Sequence, residues 1–263
     1  MVRTFNDPTQ GERPVERSAD ALFAPSSVAW RVHGDVAGMM VGGVASLLLQ
    51  MLHPGVLAGV WDHSDFRRDP AGRLRRTARF IALTTYGRRD QAEAIIAKVR
   101  GIHDHVHGRL PDGTPYSAND SDLLAWVHVT ETLSFLDGWR RYGEPRMSRA
   151  DQDRYFAEMA AIGTAMGADP VPRDRTAAES VIAGMRPALR VDDRTRSIAR
   201  AVLARPADRL RDAPVRALLR AAAIDQLPGW AKAMHGFDAA MPHRPLVRAG
   251  TWGIASTLRW AFA

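Results

Sequence analysis

One uncharged stretch, "VAGMMVGGVASLLLQML" at residues 36–52, constrains the fold more than any other part of the chain. Gly38 and Gly42 have the spacing that lets two helices approach closely, and the length lies at the short limit for a membrane span. Asp35 precedes the stretch, and a histidine–proline dipeptide that interrupts helices follows it. These features favour a buried central helix over the alternative, a membrane-spanning helix.

The remaining apolar residues recur mainly at helical spacing, and Gly and Pro residues separate one apolar segment from the next. Alternating patterns long enough for useful β-strands are nearly absent. A chain of 263 residues is long enough to bury one large hydrophobic core. We therefore predict an all-α protein, with residues 1–25 as a polar N-terminal arm and residues 26–263 as a single globular helical domain.

Composition excludes several kinds of site. The chain has no cysteine, which excludes disulfides, iron–sulfur clusters and thiol nucleophiles. Its net charge of +7 comes from 36 basic and 29 acidic residues that alternate along most of the chain. This alternation predicts solvated helix faces, and because no nucleic-acid-binding motif is present, we predict no nucleic-acid partner. The N-terminal residues lack the apolar core of a secretion signal, which predicts a cytoplasmic protein.

The segment "VRGIHDHVHG" holds three of the nine histidines at alternate positions. The preceding apolar residues have helical spacing, which predicts a helix over residues 90–107. On such a helix His103 lies on the apolar face, His107 follows one turn later, and His105 points away. His103 is therefore the first candidate for a buried functional histidine.

A second predicted helix, over residues 120–142, places His128 on an inward face with Glu131 and Phe135. No phosphate-binding loop, dinucleotide fingerprint, GxSxG elbow or HExxH motif is present, which argues against several common enzyme classes. Histidines on apolar helix faces are therefore the main chemical feature of this sequence.

Two kinds of site suit such histidines. One is a non-haem metal held by His103 and His107 together with Asp104 or His128. The other is a haem, which needs one histidine in an apolar helical pocket and arginines for its propionates. The residues alone leave both open.

Several collinear motifs resemble one bacterial family. The order "LLLQMLHPGVLAGVWDHSDFRRDPAGRLRRTARFIALTTYG", then "VRGIHDHVHG", then "YSANDSDLLAWVHVTETLSF" is similar to the DUF2236 family. That family contains the oxygenase MpaB group and, more distantly, the rubber oxygenases called latex-clearing proteins. The resemblance covers residues 26–145, and the rest of the chain is predicted only as helical.

This resemblance implies a globin-like helical core that holds a b-type haem. In the rubber oxygenases an Arg-x-x-His-x-x-x-Arg segment supplies the axial histidine, and the matching positions here are Arg100, His103 and His107. His103 is thus the expected iron ligand. Arg100, His107 and Arg73 are the other residues expected to contact the haem.

The distal Arg-x-x-Lys-Thr segment of those enzymes is matched by Arg73 to Thr77, with Arg76 in place of the lysine. Arginine stays protonated and has no lone pair to offer iron. We therefore expect an open distal side, where Arg76 and Thr77 donate hydrogen bonds to bound dioxygen or substrate and His128 lines the pocket.

The function implied is that of a haem-dependent oxygenase acting on a small hydrophobic molecule with O2, including oxidative cleavage of a C=C bond. Two alternatives stay open: a helical protein that binds haem or a lipid-like ligand without turnover, and a non-haem metal enzyme using His103 and His107.

The basic, aromatic C-terminal segment "VRAGTWGIASTLRWAFA" could lie on a membrane surface, but docking on the core is the favoured interpretation.

Overall fold

The all-α prediction is confirmed. The computed structural model describes residues 13–67, 69–204, 213–237 and 243–262, and the chain is 72% helical. Residues 1–12 of the predicted N-terminal arm lie outside the described residues, and the division into arm and domain stays a prediction.

The described residues form twelve α-helices, two short 3-10 turns and one small hairpin. The hairpin is a two-stranded antiparallel sheet between α5 and α6. In chain order the elements are α1 (Val28–His33), α2 (Val36–Gln50), α3 (Pro54–His63), α4 (Pro70–Tyr86), α5 (Arg89–His103), β1 (His107–Arg109), β2 (Pro115–Ser117), α6 (Ser121–Tyr142), α7 (Arg149–Met166), α8 (Arg175–Met185), α9 (Asp193–Ala204), α10 (Ala213–Gln226), α11 (Gly229–His235) and α12 (Arg244–Phe262).

Helix α2 is the buried central helix predicted from the uncharged stretch. Asp35 caps it by accepting a hydrogen bond from the backbone N–H of Gly38 at 2.6 Å. The helix packs against α1, α6, α10 and α12. Within the described ranges, no single helix is long and apolar enough to cross a membrane; α2 and α3 pass that test only as a pair, which bends by 104° at the break.

Helices α2 and α6 pack closely against each other through glycines. A Cβ atom on Gly42 would lie 2.6 Å from the carbonyl oxygen of Ser134, and one on Gly138 would lie 2.5 Å from that of Gly38. The two backbones therefore touch without intervening side chains. The fully buried Trp126 of α6 adds a hydrogen bond from its indole N–H to the Gln50 carbonyl at 3.3 Å.

The predicted helix over residues 90–107 was wrong at its C-terminal end. Helix α5 stops at His103, and His107 lies in β1, paired with Ser117 of β2. Gly113 allows the tight turn of this hairpin because its φ of 87° is in the left-handed region. Since the helix ends at His103 and His107 lies in β1, His107 does not follow His103 on a helix face.

Candidate functional site

His103 is the last residue of α5, and its imidazole is half-buried beside α4. The Nδ1 atom of the ring is shielded from solvent. Burial lowers the pKa of His103, and a contact with the Asn119 side chain partly opposes that shift. The ring is therefore mainly neutral at pH 7, which is the form that binds a metal ion.

Arg73, on the neighbouring α4, acts on His103 electrostatically and also favours its neutral form. The guanidinium of Arg73 is half-buried and forms no ion pair with any residue that the structure describes. Burial and the adjacent charge of Arg76 lower the pKa of Arg73. An unpaired cation beside a neutral imidazole leaves room for an anionic group at this position.

The other predicted haem contacts are more scattered. Arg100 lies one turn before His103 and donates a hydrogen bond to the Ala165 carbonyl of α7 at 3.0 Å. The side chain of Arg76 is exposed, 4.0 Å from Asp69, and Thr77 is exposed and donates to the Arg73 carbonyl at 3.2 Å. His107 is exposed on the hairpin. Their roles at a haem stay predictions.

A small internal cavity of about 30 Å³ lies between α1, α4, α6 and α7. This volume holds one or two water molecules or a diatomic gas. Ile81, which lines the cavity, lies eight residues after Arg73 on α4. The cavity is therefore roughly 12 Å from Arg73 along the axis of this helix. Its walls are apolar (Phe80, Ile81, Phe135, Met159, Ile162) and polar (His33, Thr84, His128, Glu131, Thr132).

His33 closes one side of the cavity and is almost completely buried. Its Nδ1 atom lies 2.7 Å from the Thr85 hydroxyl, and its Nε2 atom lies 2.8 Å from the Tyr155 hydroxyl. Burial lowers the pKa of His33 to about 3. This neutral imidazole joins α1 to α4 and α7 by hydrogen bonds.

His128, the one predicted site residue in the cavity wall, packs against Gly163 of α7. A Cβ atom on Gly163 would lie 2.9 Å from the imidazole Nε2, so the glycine makes room for the ring. That Nε2 atom is buried without a hydrogen-bond partner, and burial lowers the pKa of His128 to about 4. His128 is therefore a neutral imidazole with a free nitrogen.

Glu131 lies one turn after His128 and faces the same cavity. Burial raises its pKa to about 7, and no cation in the described part of the chain pairs with it. The hydroxyl of Thr132 beside it is also buried without a partner. At neutral pH the cavity thus holds a carboxyl group that exchanges a proton readily, next to unpartnered donors and acceptors.

Sequence reasoning found part of this cavity. It placed His128 and Glu131 on one inward helix face, but it gave Glu131 no role and missed His33 and Tyr155. The only local signal for His33 is its position in the short apolar helix before the Asp35 cap. A helix of six residues has too few turns to show which face is buried.

The raised pKa of Glu131 predicts a pH-dependent stability difference for Glu131→Gln. The folded pKa of about 7 lies above the unfolded value near 4.5, so the native protein loses stability as pH rises through this interval, and glutamine does not. Relative to wild type, Glu131→Gln should gain about 3 kcal/mol of unfolding free energy between pH 4.5 and pH 8. Urea unfolding of both proteins at both pH values measures this change. If the difference in unfolding free energy between them does not depend on pH, the prediction is contradicted.

The non-haem metal alternative has little support in the geometry. Among the residues that the structure describes, no group of three or more His, Asp or Glu side chains could hold a metal ion. His107 also lies on the hairpin and not one helical turn from His103. The paired-histidine site expected from helix spacing therefore lacks its geometric basis.

A comparison with protein families gives one match. The family model described as "ER-bound oxygenase mpaB/B'/Rubber oxygenase, catalytic domain" matches residues 30–260. The match extends through the C-terminal part, which the sequence motifs had left as helical only. No curated protein and no solved structure gives a significant match.

Proposed function

The chain belongs to the mpaB/rubber oxygenase catalytic-domain family, and we propose that it is a haem-dependent oxygenase of a small hydrophobic molecule. The family resemblance stated from the sequence motifs is thereby confirmed. Membership supports an oxygenase that uses O2. Haem b as the cofactor and the class of substrate are the parts that we add.

The observation that carries the haem assignment is the pair formed by His103 and Arg73. A half-buried histidine that burial keeps mainly neutral lies beside a half-buried arginine that has no anionic partner among the described residues. Histidine is a common axial ligand of haem iron, and arginines pair well with propionate carboxylates. The side chain of Ile102, next to His103, is 53% exposed, which provides an apolar contact for a porphyrin.

Most of α4 is only lightly covered by other residues, which agrees with a cofactor bound against this helix. No residue from Arg73 to Ala82 is fully buried, although the next four residues of α4 all are. The internal cavity alone, at about 30 Å³, is far smaller than the several hundred Å³ of a typical cofactor site. We therefore propose that the lightly covered residues of α4, and not the cavity alone, would contact the cofactor.

In this arrangement His103 would hold the iron, and Arg73 and Arg100 would neutralise the propionates. The haem would supply the oxygen chemistry. The protein's own contribution lies in the cavity. There Glu131 holds a proton at its carboxyl near neutral pH, His128 offers a neutral Nε2, and the apolar wall limits access of water.

An absorption spectrum tests the haem assignment. Wild-type protein reconstituted with haem should show a Soret band, and His103→Ala should lose it or shift it strongly because the axial nitrogen is gone. His105→Ala is the matched control, since His105 is exposed and its ring bonds only the Gly101 carbonyl. The control should keep the wild-type spectrum.

Two results would overturn the haem assignment: a His103→Ala spectrum identical to wild type, or a wild-type protein that takes up no haem. Oxygen consumption by the haem-loaded protein with hydrophobic alkenes then separates the oxygenase from the alternative of a protein that binds haem without turnover. An oxygenase consumes O2 in proportion to added substrate, whereas a binding protein does not.

A further inference from the structure

Helix α12 docks on the core by one face, as the favoured interpretation of the C-terminal segment predicted. Val247, Thr251 and Ala255, spaced four residues apart, are buried, and the helix packs against α10, α2 and α6. This spacing places all three side chains on one side of the helix. The opposite side is therefore left for solvent or for another partner.

Three large apolar side chains are exposed on α12, two on that opposite side and Trp252 at its edge. The exposed fractions are 75% for Leu246, 54% for Trp252 and 82% for Trp260. Leu246, Gly253 and Trp260 are seven residues apart and line one face over about 21 Å. A Cβ atom on Gly253 would meet no other atom within 4 Å, so the middle of this face is open. Three large apolar side chains exposed on one helix indicate an interaction surface.

At the edge of this face, beside Trp252, the charge is positive. Helix α12 contains three arginines and no acidic residue. Two of them, Arg244 and Arg248, share the buried carboxylate of Asp225 with Arg141 of α6, so this cluster carries two positive charges in excess. The side chains of Arg244 and Arg248 are more than a third exposed, and Arg248 lies one turn before Trp252.

We propose that the exposed face of α12 docks the protein on an anionic phospholipid surface. Trp and Leu side chains would enter the interfacial layer, and the excess positive charge of the Asp225 cluster would attract lipid phosphates. Charge complementarity favours lipid over a second copy of the chain, because two such faces would bring arginines together. This proposal is independent of the haem assignment.

Co-sedimentation of the full chain with phospholipid vesicles tests the proposal. The variants are made at Gly253, where a new side chain has open space. Gly253→Glu and Gly253→Lys both fit without a clash and differ in charge. On vesicles of phosphatidylcholine and phosphatidylglycerol in equal parts, one charge near the surface changes binding about fivefold, so the two variants should differ about 25-fold, with lysine binding better. Trp252→Ser combined with Trp260→Ser should weaken binding about tenfold.

Gly184→Glu on α8, where a Cβ atom also meets no other atom within 4 Å, is the matched control and should bind nearly as wild type. Circular dichroism checks that each variant is folded. The proposal is overturned if wild type does not sediment with the anionic vesicles, or if it sediments equally with phosphatidylcholine alone. It is also overturned if wild type is a dimer in solution that Gly253→Glu converts to a monomer, since a second copy then covers this face.

Discussion

Gly42→Leu is expected to prevent stable folding, and even Gly42→Ala should cost about 3 kcal/mol of unfolding free energy. The new Cβ atom would lie 2.6 Å from the Ser134 carbonyl and 3.0 Å from Phe135 Cα, both backbone atoms of α6. Backbone atoms in the middle of a packed helix cannot move aside as the end of a flexible side chain can. Helices α2 and α6 must therefore separate, and that loosens the centre of the core.

The adjacent Gly43 provides a matched control on the same helix. A Cβ atom there would have its nearest neighbour at 3.7 Å, an ordinary contact with the Phe135 ring. Gly43→Ala should therefore stabilise the protein by up to about 1 kcal/mol through helix propensity. Chemical unfolding of the two alanine variants measures the difference. Equal changes in unfolding free energy for Gly42→Ala and Gly43→Ala would contradict the close contact between α2 and α6.

The second large effect is expected at Asp225. Its carboxylate is fully buried and accepts ion pairs from Arg141 at 2.8 Å, Arg244 at 2.6 Å and Arg248 at 2.7 Å. Asp225→Asn keeps the volume but leaves three guanidinium groups without their shared anion. Breaking a buried ion pair from one side is strongly destabilising, and we expect a loss of about 3 kcal/mol. For a protein of this size the melting temperature should fall by about 6–12 °C.

Asp193→Asn is the control for that experiment. Asp193 pairs with Arg196 at 3.0 Å, but its side chain is fully exposed. Water screens such a pair, so the melting temperature of this variant should stay close to that of wild type. If both variants melt at the same temperature as wild type, the Asp225 cluster contributes nothing to the joining of α6, α10 and α12.

The parts of the fold that could be predicted are the long, strongly periodic helices. The uncharged stretch became α2 and residues 120–142 became α6 with nearly the predicted bounds, because both helices bury much of their surface. The end of α5 could not be predicted in this way. The three alternating histidines belong to three different local structures: His103 ends α5, His105 lies in a turn, and His107 begins β1, which pairs with β2.

The candidate site, like the fold, could be predicted only in part from the sequence. His103 was found because a family motif marks it, and its neighbour Arg73 lies in a second motif. The internal cavity has no motif, since its polar groups come from four helices that are distant in sequence. The hydrogen bonds of His33 to Thr85 and Tyr155 span 52 and 122 residues, and only tertiary packing brings such groups together.

The central position of α2 also means that part of its surface stays uncovered while the chain is being synthesised. Helix α10, which covers part of α2, begins at Ala213, 163 residues after α2 ends at Gln50. At about 5–20 residues per second, the ribosome needs roughly 8–30 s to make the intervening segment. During that time α2 lacks the cover of α10 and α12 in the nascent chain, although α6, its main packing partner, is made earlier. Translation that stops before α10 therefore yields a product prone to aggregate or to bind chaperones.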